Sequence, residues 1–435
     1  MATQQSNSTT IVSNGSGQAT PGQPVVSPPG ANHVGGSSDN DARSMSADEI
    51  ALYDRQIRLW GVKAQEKIRS ANILLITMKA LANEIAKNLV LAGIGSLTIN
   101  DHETVTEADL GAQFFISQEH VGQNRAQAAG PQVHNMNPRV RLHIDTDRID
   151  DKPPEFFSNF DIVIATELDI KTYSFINASC RISNRPFYAA GLHGFYGYVF
   201  ADLIQHNFVI EREKSNVPSP INETPTRSIV NITTKKENER IIELVTKREM
   251  YSPIILANTS PLPEEFTRIP RKRKQVTLLL TCLRALFEFQ KISEGRLPNF
   301  SREDIELFTT LANERHLELK LELQYLTADF IRSFIQNLGC ELSPVAAFLG
   351  GSLAQDVINV LSAREQPLQN LLLFDGEKNV APIYPMHPIF PPEKPSEMTG
   401  GMGNGGPENG NGNHQTPTMT PPGVGNGVGP APANR

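Results

Sequence analysis

Residues 73–89, ILLITMKALANEIAKNL, have the outline of a nucleotide-binding turn. The apolar run that opens the segment is typical of a buried strand, and apolar residues then recur at helical spacing. A second apolar run, 97–100, ends at Asp101. This is the βαβ spacing in which phosphates meet the start of a helix and an acidic residue meets a ribose. The loop nevertheless lacks the glycines that let a phosphate approach, because none occurs from 77 to 92.

Strand and helix signals continue to alternate along the chain, which favours a mainly parallel α/β sheet covered on both faces. The closing segment NLLLFDG, 370–376, indicates a last strand, preceded by a helix with Ser343 as its N-cap and Pro344 after it. Gly350 and Gly351 within that helix indicate close packing against another backbone. The expected strands are 73–76, 97–100, 140–144, 161–165, 186–190 and 197–203, and the expected helices are 80–92, 122–136 and 171–183.

Composition divides the 435 residues into an α/β domain with an insertion, flanked by two tails. The ends are rich in Ser, Gly, Pro and Asn, so they cannot bury enough apolar surface and are expected to be disordered. A polar, proline-containing segment interrupts the α/β rhythm and is followed by a helical region. The predicted divisions are a tail, 1–45; the first part of the domain, 46–205; the insertion, polar and then helical, 206–338; the closing helix and strand, 339–390; and a second tail, 391–435.

The formal net charge of −7 argues against a protein with a basic nucleic-acid-binding face. No run of 18 apolar residues occurs, so we expect no membrane span, and the N-terminus lacks an apolar signal core. The three cysteines, Cys180, Cys282 and Cys340, form no CxxC pair. A structural zinc site and a disulfide framework are therefore not expected.

A helical segment begins near residue 46, where Ser46 and Glu49 fit a capping box. Asp54 and Arg58 are four residues apart and can form an ion pair on one helix face. Arg55 has no comparable local partner.

Several motifs together resemble those of the enzymes that activate ubiquitin-like modifiers. The resemblance is closest to the smaller, regulatory subunits of SUMO-activating enzymes and covers about 50–205 and 340–385. It implies a Rossmann-like pseudo-adenylation domain of the ThiF type. The motifs are LYDRQIRLWG (52–61), VTEADLGAQFF (105–115), VGQNRAQAA (121–129), NMNPRV (135–140), GFYGYVFADL (194–203), FLGGSLAQDVINVLS (348–362) and LLLFDG (371–376).

The resemblance implies a function shared between two chains. In that family the larger subunit binds ATP and magnesium, adenylates the C-terminal glycine of SUMO and then captures it on its own cysteine. The smaller subunit carries a vacant copy of the site. The implied partners are that larger catalytic subunit, SUMO and, indirectly, a conjugating enzyme, with no nucleic acid and no membrane. Two alternatives stay open: a regulatory subunit for another ubiquitin-like modifier, and a self-sufficient adenylating enzyme.

The resemblance places Thr77, Ala80 and Ala82 where the family's catalytic members carry loop glycines. A β-branched Thr disfavours a positive φ, and a Cβ blocks close approach of the backbone to a phosphate. Ala112 stands where those members carry a phosphate-binding arginine, and a methyl group cannot replace a guanidinium. We therefore expect this chain alone to hold neither ATP nor magnesium.

Four acidic or basic residues lie at or near further family positions. Asp101 matches the ribose-binding acid, and we read it as vestigial, an exposed strand-end residue that caps a turn. Arg125 falls where catalytic members have a phosphate-contacting lysine, but a solvated helix face is favoured. Glu167 and Asp169 lie near the family's magnesium-binding position. No metal site is expected there, and Asp169 is expected to cap a helix.

Arg55 is the one residue to which the resemblance assigns a functional role. In the family, the arginine of this YDRQ motif reaches across the interface to the ATP bound by the partner subunit, as an arginine finger does. The alternative is an ordinary surface arginine. Arg58 is expected to be structural, paired with Asp54.

None of the three cysteines lies in a recognisable cysteine motif of the family, and Cys282 lies in a helix with a buried pattern. We expect no catalytic cysteine in this chain. The basic run 271–274 is either a nuclear import signal or a solvated helix start. With the family resemblance, it favours the nucleus, with the cytoplasm as a second location.

Overall fold

A mixed eight-stranded sheet and a smaller three-stranded sheet run through the described residues, which are 45–214, 220–237 and 240–388 of this computed structural model. The described residues all lie within the unit Met1–Ile389. The strands are β1 Asn72–Ile76, β2 Ser96–Asn100, β3 Arg141–Asp145, β4 Ile162–Thr166, β5 Phe187–His193, β6 Tyr196–Asp202, β7 Gln205–Glu213, β8 Arg227–Glu237, β9 Arg240–Met250, β10 Leu371–Asp375 and β11 Ile383–Tyr384.

The large sheet has the order β11-β10-β6-β5-β4-β1-β2-β3. Strands β3, β2, β1, β4 and β5 are parallel to one another. The pairs β5–β6, β6–β10 and β10–β11 are antiparallel. Strand β1 pairs with β2 on one side and with β4 on the other. The strand order therefore reverses at β1, because the chain first adds β2 and β3 on one side and then returns to add β4 on the other. Ligands of open α/β sheets bind outside the carboxyl ends of the strands at such a point.

Helices cover both faces of this sheet. Ile73 and Leu75 of β1 point into one core cluster and Leu74 and Ile76 into the other, as strand alternation requires. The α-helices of the described residues are α1 Ala47–Leu52, α2 Asp54–Trp60, α3 Val62–Ser70, α4 Ala80–Ala92, α5 Arg125–Met136, α6 Ile170–Ile182, α7 Ile254–Thr259, α8 Glu264–Arg268, α9 Pro270–Lys274, α10 Leu278–Ile292, α11 Arg302–Glu318, α12 Ala328–Asn337 and α13 Ser343–Ser362. The first face carries α4 and α13, and the second carries α6 and α10.

Helix α13 packs closely on α4, and Gly350 is the residue that permits it. A Cβ at Gly350 would lie 2.5 Å from Glu84 Cβ and 3.2 Å from Ile85 N. The prediction of close backbone packing is therefore confirmed for Gly350. It is wrong for Gly351, because a Cβ there would meet nothing within 4 Å. Ser343 is also not the N-cap, because Leu342 precedes the first helical turn and no side chain caps it.

Helix α13 is also long and apolar enough to cross a membrane by length and composition, within the described residues. More than half of it is buried against the rest of the fold. Its contacts with α4 and the sheet explain the apolar composition, because a helix that is hydrophobic all round is typical of a protein core as well as of a membrane span.

The predicted elements of the α/β part are confirmed to within about three residues, whereas the polar segment holds a sheet that the sequence did not reveal. Strands β7, β9 and β8 form an antiparallel sheet in that order. Nearly all the described side chains of β8 are partly or fully exposed, so the strand lacks the apolar alternation that marks a half-buried strand. The tails predicted to be disordered lie outside the described residues except for Met45, and the domain divisions stay predictions.

The N-terminal helices follow their sequence signals. The Ser46 side chain accepts from Glu49 N–H, and Glu49 Oε2 accepts from Ser46 N–H at 3.0 Å, so the capping box is confirmed. Arg58 and Asp54 form the expected ion pair at 2.8 Å on the exposed face of α2. Gly61 ends α2 with a φ of 86°, a conformation that glycine adopts readily.

Candidate functional site

The crevice at the carboxyl ends of β1 and β4 is built on two residues with left-handed backbone. Thr77 follows β1 with a φ of 70°, and Glu167 follows β4 with a φ of 56°. The expectation that a threonine would avoid a positive φ is wrong at Thr77. Such a conformation costs on the order of 1–3 kcal/mol and persists only where surrounding contacts fix it.

Hydrogen bonds from three sides hold Thr77 in this conformation. Its N–H donates to Asn100 O at 2.8 Å, and its carbonyl accepts from Thr166 Oγ1 at 3.3 Å. The next N–H, that of Met78, donates to the Asp101 carboxylate at 2.8 Å. The loop therefore keeps the backbone shape of a glycine turn but carries a side chain at the position where that shape is costly.

A carboxylate from a distant part of the chain lies at the start of α4. The N-cap, Lys79, supplies no side-chain hydrogen bond. Instead the N–H of Ala80, in the first turn, donates to Glu341 Oε1 at 3.2 Å. The free N–H groups and the dipole of a helix start favour an anion, which is the basis of phosphate binding by such turns. Glu341 therefore occupies the place that the phosphate of a nucleotide would need.

The linker between α12 and α13 brings Glu341 to this position. The turn between β5 and β6 fixes that linker, because Gly194 N–H donates to Cys340 O at 2.7 Å. Gly194 has a φ of 58°, and a Cβ there would lie 1.9 Å from Asn337 Oδ1. Sequence reasoning missed Glu341, since no local motif signals a contact between residues separated by 261 positions.

The titratable side chains of the crevice have pKa values that are shifted by burial and by one another's charges. Partial burial raises the pKa of Glu167 to about 8, although Lys79 opposes the shift. Burial also raises the pKa of Glu341. Burial, with a smaller effect of Lys79, lowers the pKa of His193 to about 4. Two carboxyls therefore share the crevice with one lysine, and burial keeps the Glu167 carboxyl mostly protonated at neutral pH.

Asp101 and Arg125 form a buried ion pair beside this cluster. Asp101 is 3% exposed and Arg125 is 4% exposed, and Arg125 Nη1 donates to Asp101 Oδ2 at 2.8 Å. The predictions of an exposed Asp101 and of a solvated Arg125 are therefore wrong. The turn-capping role of Asp101 is confirmed, because its Oδ1 accepts from Glu103 N–H at 2.9 Å. Arg125 Nε also lies 3.7 Å from Asp109.

The remaining crevice positions are held within the fold. Gln113, next to Ala112, is buried and donates to Asp109 Oδ1 at 2.7 Å. Asp169 caps α6 by accepting from the backbone N–H groups of Lys171 and Thr172, as predicted. Within the described ranges, no group of three or more His, Cys, Asp or Glu side chains could hold a metal ion.

Arg55 lies outside the crevice, on α2. Its side chain is exposed and makes no hydrogen bond or ion pair with any other described residue. Two large apolar side chains close to it in the sequence are exposed: Leu52, the last residue of α1, at 55% and Leu59, four residues later on α2, at 77%. The neighbouring Arg58 pairs with Asp54. An exposed, unpaired guanidinium with apolar side chains nearby can bind an anion held by another protein at an apolar interface.

The three cysteines differ in exposure. Cys180 and Cys282 are buried, and burial raises the pKa of both thiols well above the ordinary value. The thiolate is the nucleophilic form, so these two are chemically inert at neutral pH. The prediction of a buried helix at Cys282 is confirmed. Cys340 is exposed and precedes Glu341.

Comparison with known proteins agrees with this architecture. The chain matches the ThiF family over residues 53–396. It is 40% identical over 353 residues to the DNA damage tolerance protein RHC31 of Saccharomyces cerevisiae, covering 80% of this chain and 99% of that protein. It is 35% identical over 337 residues to SUMO-activating enzyme subunit 1 of Homo sapiens, covering 77% of this chain and 94% of that protein.

The corresponding protein of Rattus norvegicus is 36% identical over 337 residues, covering 77% of this chain and 93% of that protein. These similarities confirm the resemblance that the motifs indicate. The family match spans most of the chain, and the relatives are covered over nearly their full length. The chain belongs to the ThiF family.

Proposed function

We propose that this chain is the smaller, regulatory subunit of a heterodimeric SUMO-activating enzyme. It supports adenylation of the SUMO C-terminus by ATP and the following thioester transfer, both carried out on the larger catalytic subunit. Relatives at 35–36% identity that are named SUMO-activating enzyme subunit 1 support this assignment. The conjugating enzyme is an indirect partner, which receives SUMO from the larger subunit.

ATP and magnesium are bound by the partner in this proposal, because the crevice of this chain does not fit a triphosphate. A phosphate at the start of α4 would compete with Glu341 for the N–H of Ala80. Glu167 interacts electrostatically with Glu341 and Lys79 in the same crevice, and the Arg125 guanidinium is already paired with Asp101. The loop keeps a glycine-like φ at Thr77, so the misfit arises from side chains rather than from backbone shape.

The observation that carries the proposal is the free guanidinium of Arg55. A family member whose own crevice is filled can still act on a nucleotide by supplying a charge in trans, as arginine fingers do. Arg55 is exposed and unpaired within the described part of the chain, and the apolar side chains of Leu52 and Leu59, three and four residues from it, are exposed as well. We therefore assign to Arg55 a contact with ATP in the partner subunit.

No cysteine of this chain carries SUMO in this proposal. Cys180 and Cys282 are buried with raised pKa values. Cys340 is exposed, but its Sγ contacts only the Gln336 carbonyl, at 3.8 Å, among the described residues. Its Sγ makes no hydrogen bond to any described histidine or arginine that could activate the thiol, as a catalytic cysteine requires.

We place the protein in the nucleus, and also in the cytoplasm, on the basis of the run Arg271–Lys274. Two of its side chains are engaged, since Lys272 lies 2.9 Å from Glu265 and Arg273 lies 3.0 Å from Glu322. Replacing the four basic residues by alanine and imaging a fluorescent fusion tests import. Unchanged nuclear accumulation would show that another signal is used.

The function is tested by recovering the tagged chain from its own cells and identifying the bound partner by mass. ATP–pyrophosphate exchange is then measured for the chain alone, the partner alone and the pair, with SUMO as acceptor. We expect exchange from the pair and none from this chain. Exchange by this chain alone would revive the self-sufficient adenylating enzyme. A pair that activates another modifier would establish the second alternative.

A further inference from the structure

The carboxyl end of helix α4 is bound by side chains that hold the N-terminal helices in place. Its last carbonyls, those of Val90, Leu91 and Ala92, each accept from a side-chain amide. Asn137 Nδ2 donates to Val90 O at 2.9 Å, and Gln65 Nε2 donates to Ala92 O at 2.9 Å. The third bond runs from Gln56 Nε2 to Leu91 O at 3.2 Å. Helix ends leave such carbonyls without intrahelical partners. We call Gln56, Gln65 and Asn137 the amide clamp.

The amide clamp also binds both ends of α2. Asn137 Nδ2 donates a second hydrogen bond, at 2.9 Å, to the hydroxyl of Tyr53, the residue before the helix. Gln65 Oε1 accepts from Trp60 Nε1, at the last residue of the helix, at 2.8 Å. With Gln56 in between, α2 is therefore tied to the end of α4 at its start, its middle and its end.

The absence of a side chain at Gly93 makes room for this arrangement. Tyr53 is 5% exposed, and a Cβ at Gly93 would lie 2.5 Å from its ring. Gly93 is also the C-cap of α4 with a φ of 78°, so a side chain there would be strained by the backbone and blocked by the ring. The end of α4 is thus shaped to receive Tyr53.

Helix α2 depends on these bonds for its orientation. It has seven residues and none of them is buried. A helix of this length is unstable in isolation, and its stability comes from tertiary contacts. Arg55 lies between Tyr53 and Gln56 in the sequence, but its side chain is exposed and makes no hydrogen bond to the amide clamp. The direction of its guanidinium is therefore set by residues that do not touch it.

We propose that Tyr53, Trp60 and the amide clamp are positioning residues for Arg55, which hold its guanidinium in the orientation that meets the partner's nucleotide. This inference rests on the proposed function of Arg55. A catalytic charge that is displaced by about 1 Å can lose on the order of a hundredfold in rate. Loosening α2 should therefore lower turnover without removing the contact surface that holds the two subunits together.

The test uses the assembled heterodimer with Asn137→Leu, which removes the hydrogen bonds to Tyr53 and Val90 and a third from Arg139 N–H. We expect kcat for ATP–pyrophosphate exchange to fall about tenfold, with KM for ATP and the affinity between the subunits changed less than about twofold. The matched control is Asn159→Leu, an exposed asparagine whose amide also donates to a carbonyl, that of Phe156. Trp60→Phe, which removes one N–H and keeps an aromatic ring, is the second variant should Asn137→Leu fail to fold.

A double-mutant cycle separates positioning from a general structural effect. In the Arg55→Ala background, we expect Asn137→Leu or Trp60→Phe to lower exchange no further. An equal further loss in that background would overturn the positioning role. If Arg55→Ala alone lowers exchange and the clamp variants do not, the positioning inference fails and the proposed function stands. If Arg55→Ala has no effect, the proposed function of Arg55 fails.

Discussion

The Glu341 carboxylate accepts a hydrogen bond from the backbone N–H of Ala80 at 3.2 Å, across 261 positions of sequence. In a nucleotide-binding member of this architecture, the corresponding N–H groups would face phosphate. In this chain the hydrogen bond is an internal contact that joins the start of α4 to the linker before α13. The first prediction concerns the contribution of this contact to stability.

We predict that Glu341→Ala lowers the free energy of unfolding by about 1–2 kcal/mol, because a hydrogen bond to a charged group and a favourable interaction with the helix dipole are both lost. Glu341→Gln keeps an acceptor oxygen and should lose less than half of this. Urea denaturation followed by circular dichroism measures both variants. Equal stability of Glu341→Ala and the natural protein would show that the contact is not maintained in solution.

Asp101→Ala should be among the most destabilising single changes in the crevice. It leaves Arg125 buried with only the more distant Asp109 as a counter-charge, and breaking a buried ion pair costs about 3–5 kcal/mol. The double change Asp101→Leu with Arg125→Met removes both charges and should recover the part of the loss that comes from the unpaired guanidinium, whereas the N–H groups of Met78 and Glu103 still lack their acceptor. Thermal melting of the natural protein and the two variants measures these differences in stability. A double variant no more stable than Asp101→Ala would contradict a mainly electrostatic cause.

Gly350 and Gly351 should respond to alanine with opposite signs. Gly350→Ala pushes a methyl group against Glu84 and the backbone of α4, and such overpacking costs about 1–3 kcal/mol. Gly351→Ala meets nothing within 4 Å and should gain up to about 1 kcal/mol from helix propensity. The two variants are each other's control in a urea titration, and shifts of the same sign would contradict the packing of α13 on α4.

Glu167 should make the protein less stable as pH rises above neutrality. Its carboxyl loses its proton near pH 4.5 when unfolded and near pH 8 when folded, so the folded state binds more protons in between. The free energy of unfolding therefore falls as pH rises through this window, by at most about 1.4 kcal/mol per pH unit. His193 contributes with the opposite sign, because its pKa falls from 6.5 in the unfolded chain to about 4 in the folded protein. Its contribution to the pH dependence of stability therefore lies mainly below pH 6.5.

Between pH 6.5 and 8, the pH dependence of stability is consequently expected to come mainly from Glu167. Unfolding midpoints in urea should decline over this interval in the natural protein and stay level in Glu167→Gln, which still accepts from Leu192 N–H. Glu155→Gln, at an exposed glutamate, serves as the control and should decline like the natural protein. A decline that persists in Glu167→Gln would assign the effect to another group.

Much of the fold could be predicted because its signals are local. The βαβ frame, the capping box at Ser46 and the helix cap at Asp169 all depend on residues within a few positions of one another. The buried Asp101–Arg125 pair was misjudged because burial is set by the packing of distant elements, and charged side chains are almost always exposed unless paired.

The contents of the crevice could be predicted only in part. The missing glycines pointed to a disabled loop, but they did not reveal that Glu341 fills it or that Thr77 keeps a positive φ. Both features depend on contacts between segments far apart in sequence. The same limit applies to the amide clamp, whose residues look like ordinary surface amides until the fold brings them to the end of α4.

The central claim is that this chain acts on its partner's nucleotide through Arg55, and the most direct measurement is ATP–pyrophosphate exchange by the heterodimer carrying Arg55→Ala. Arg58→Ala, three residues away on the same helix, is the matched control. We predict that Arg55→Ala lowers the exchange rate about a hundredfold, as expected for loss of a charge that stabilises developing phosphate charge. Arg58→Ala should stay within about twofold of the natural pair, because an exposed ion pair contributes little. An Arg55→Ala heterodimer that forms normally and exchanges at the natural rate would contradict the claim.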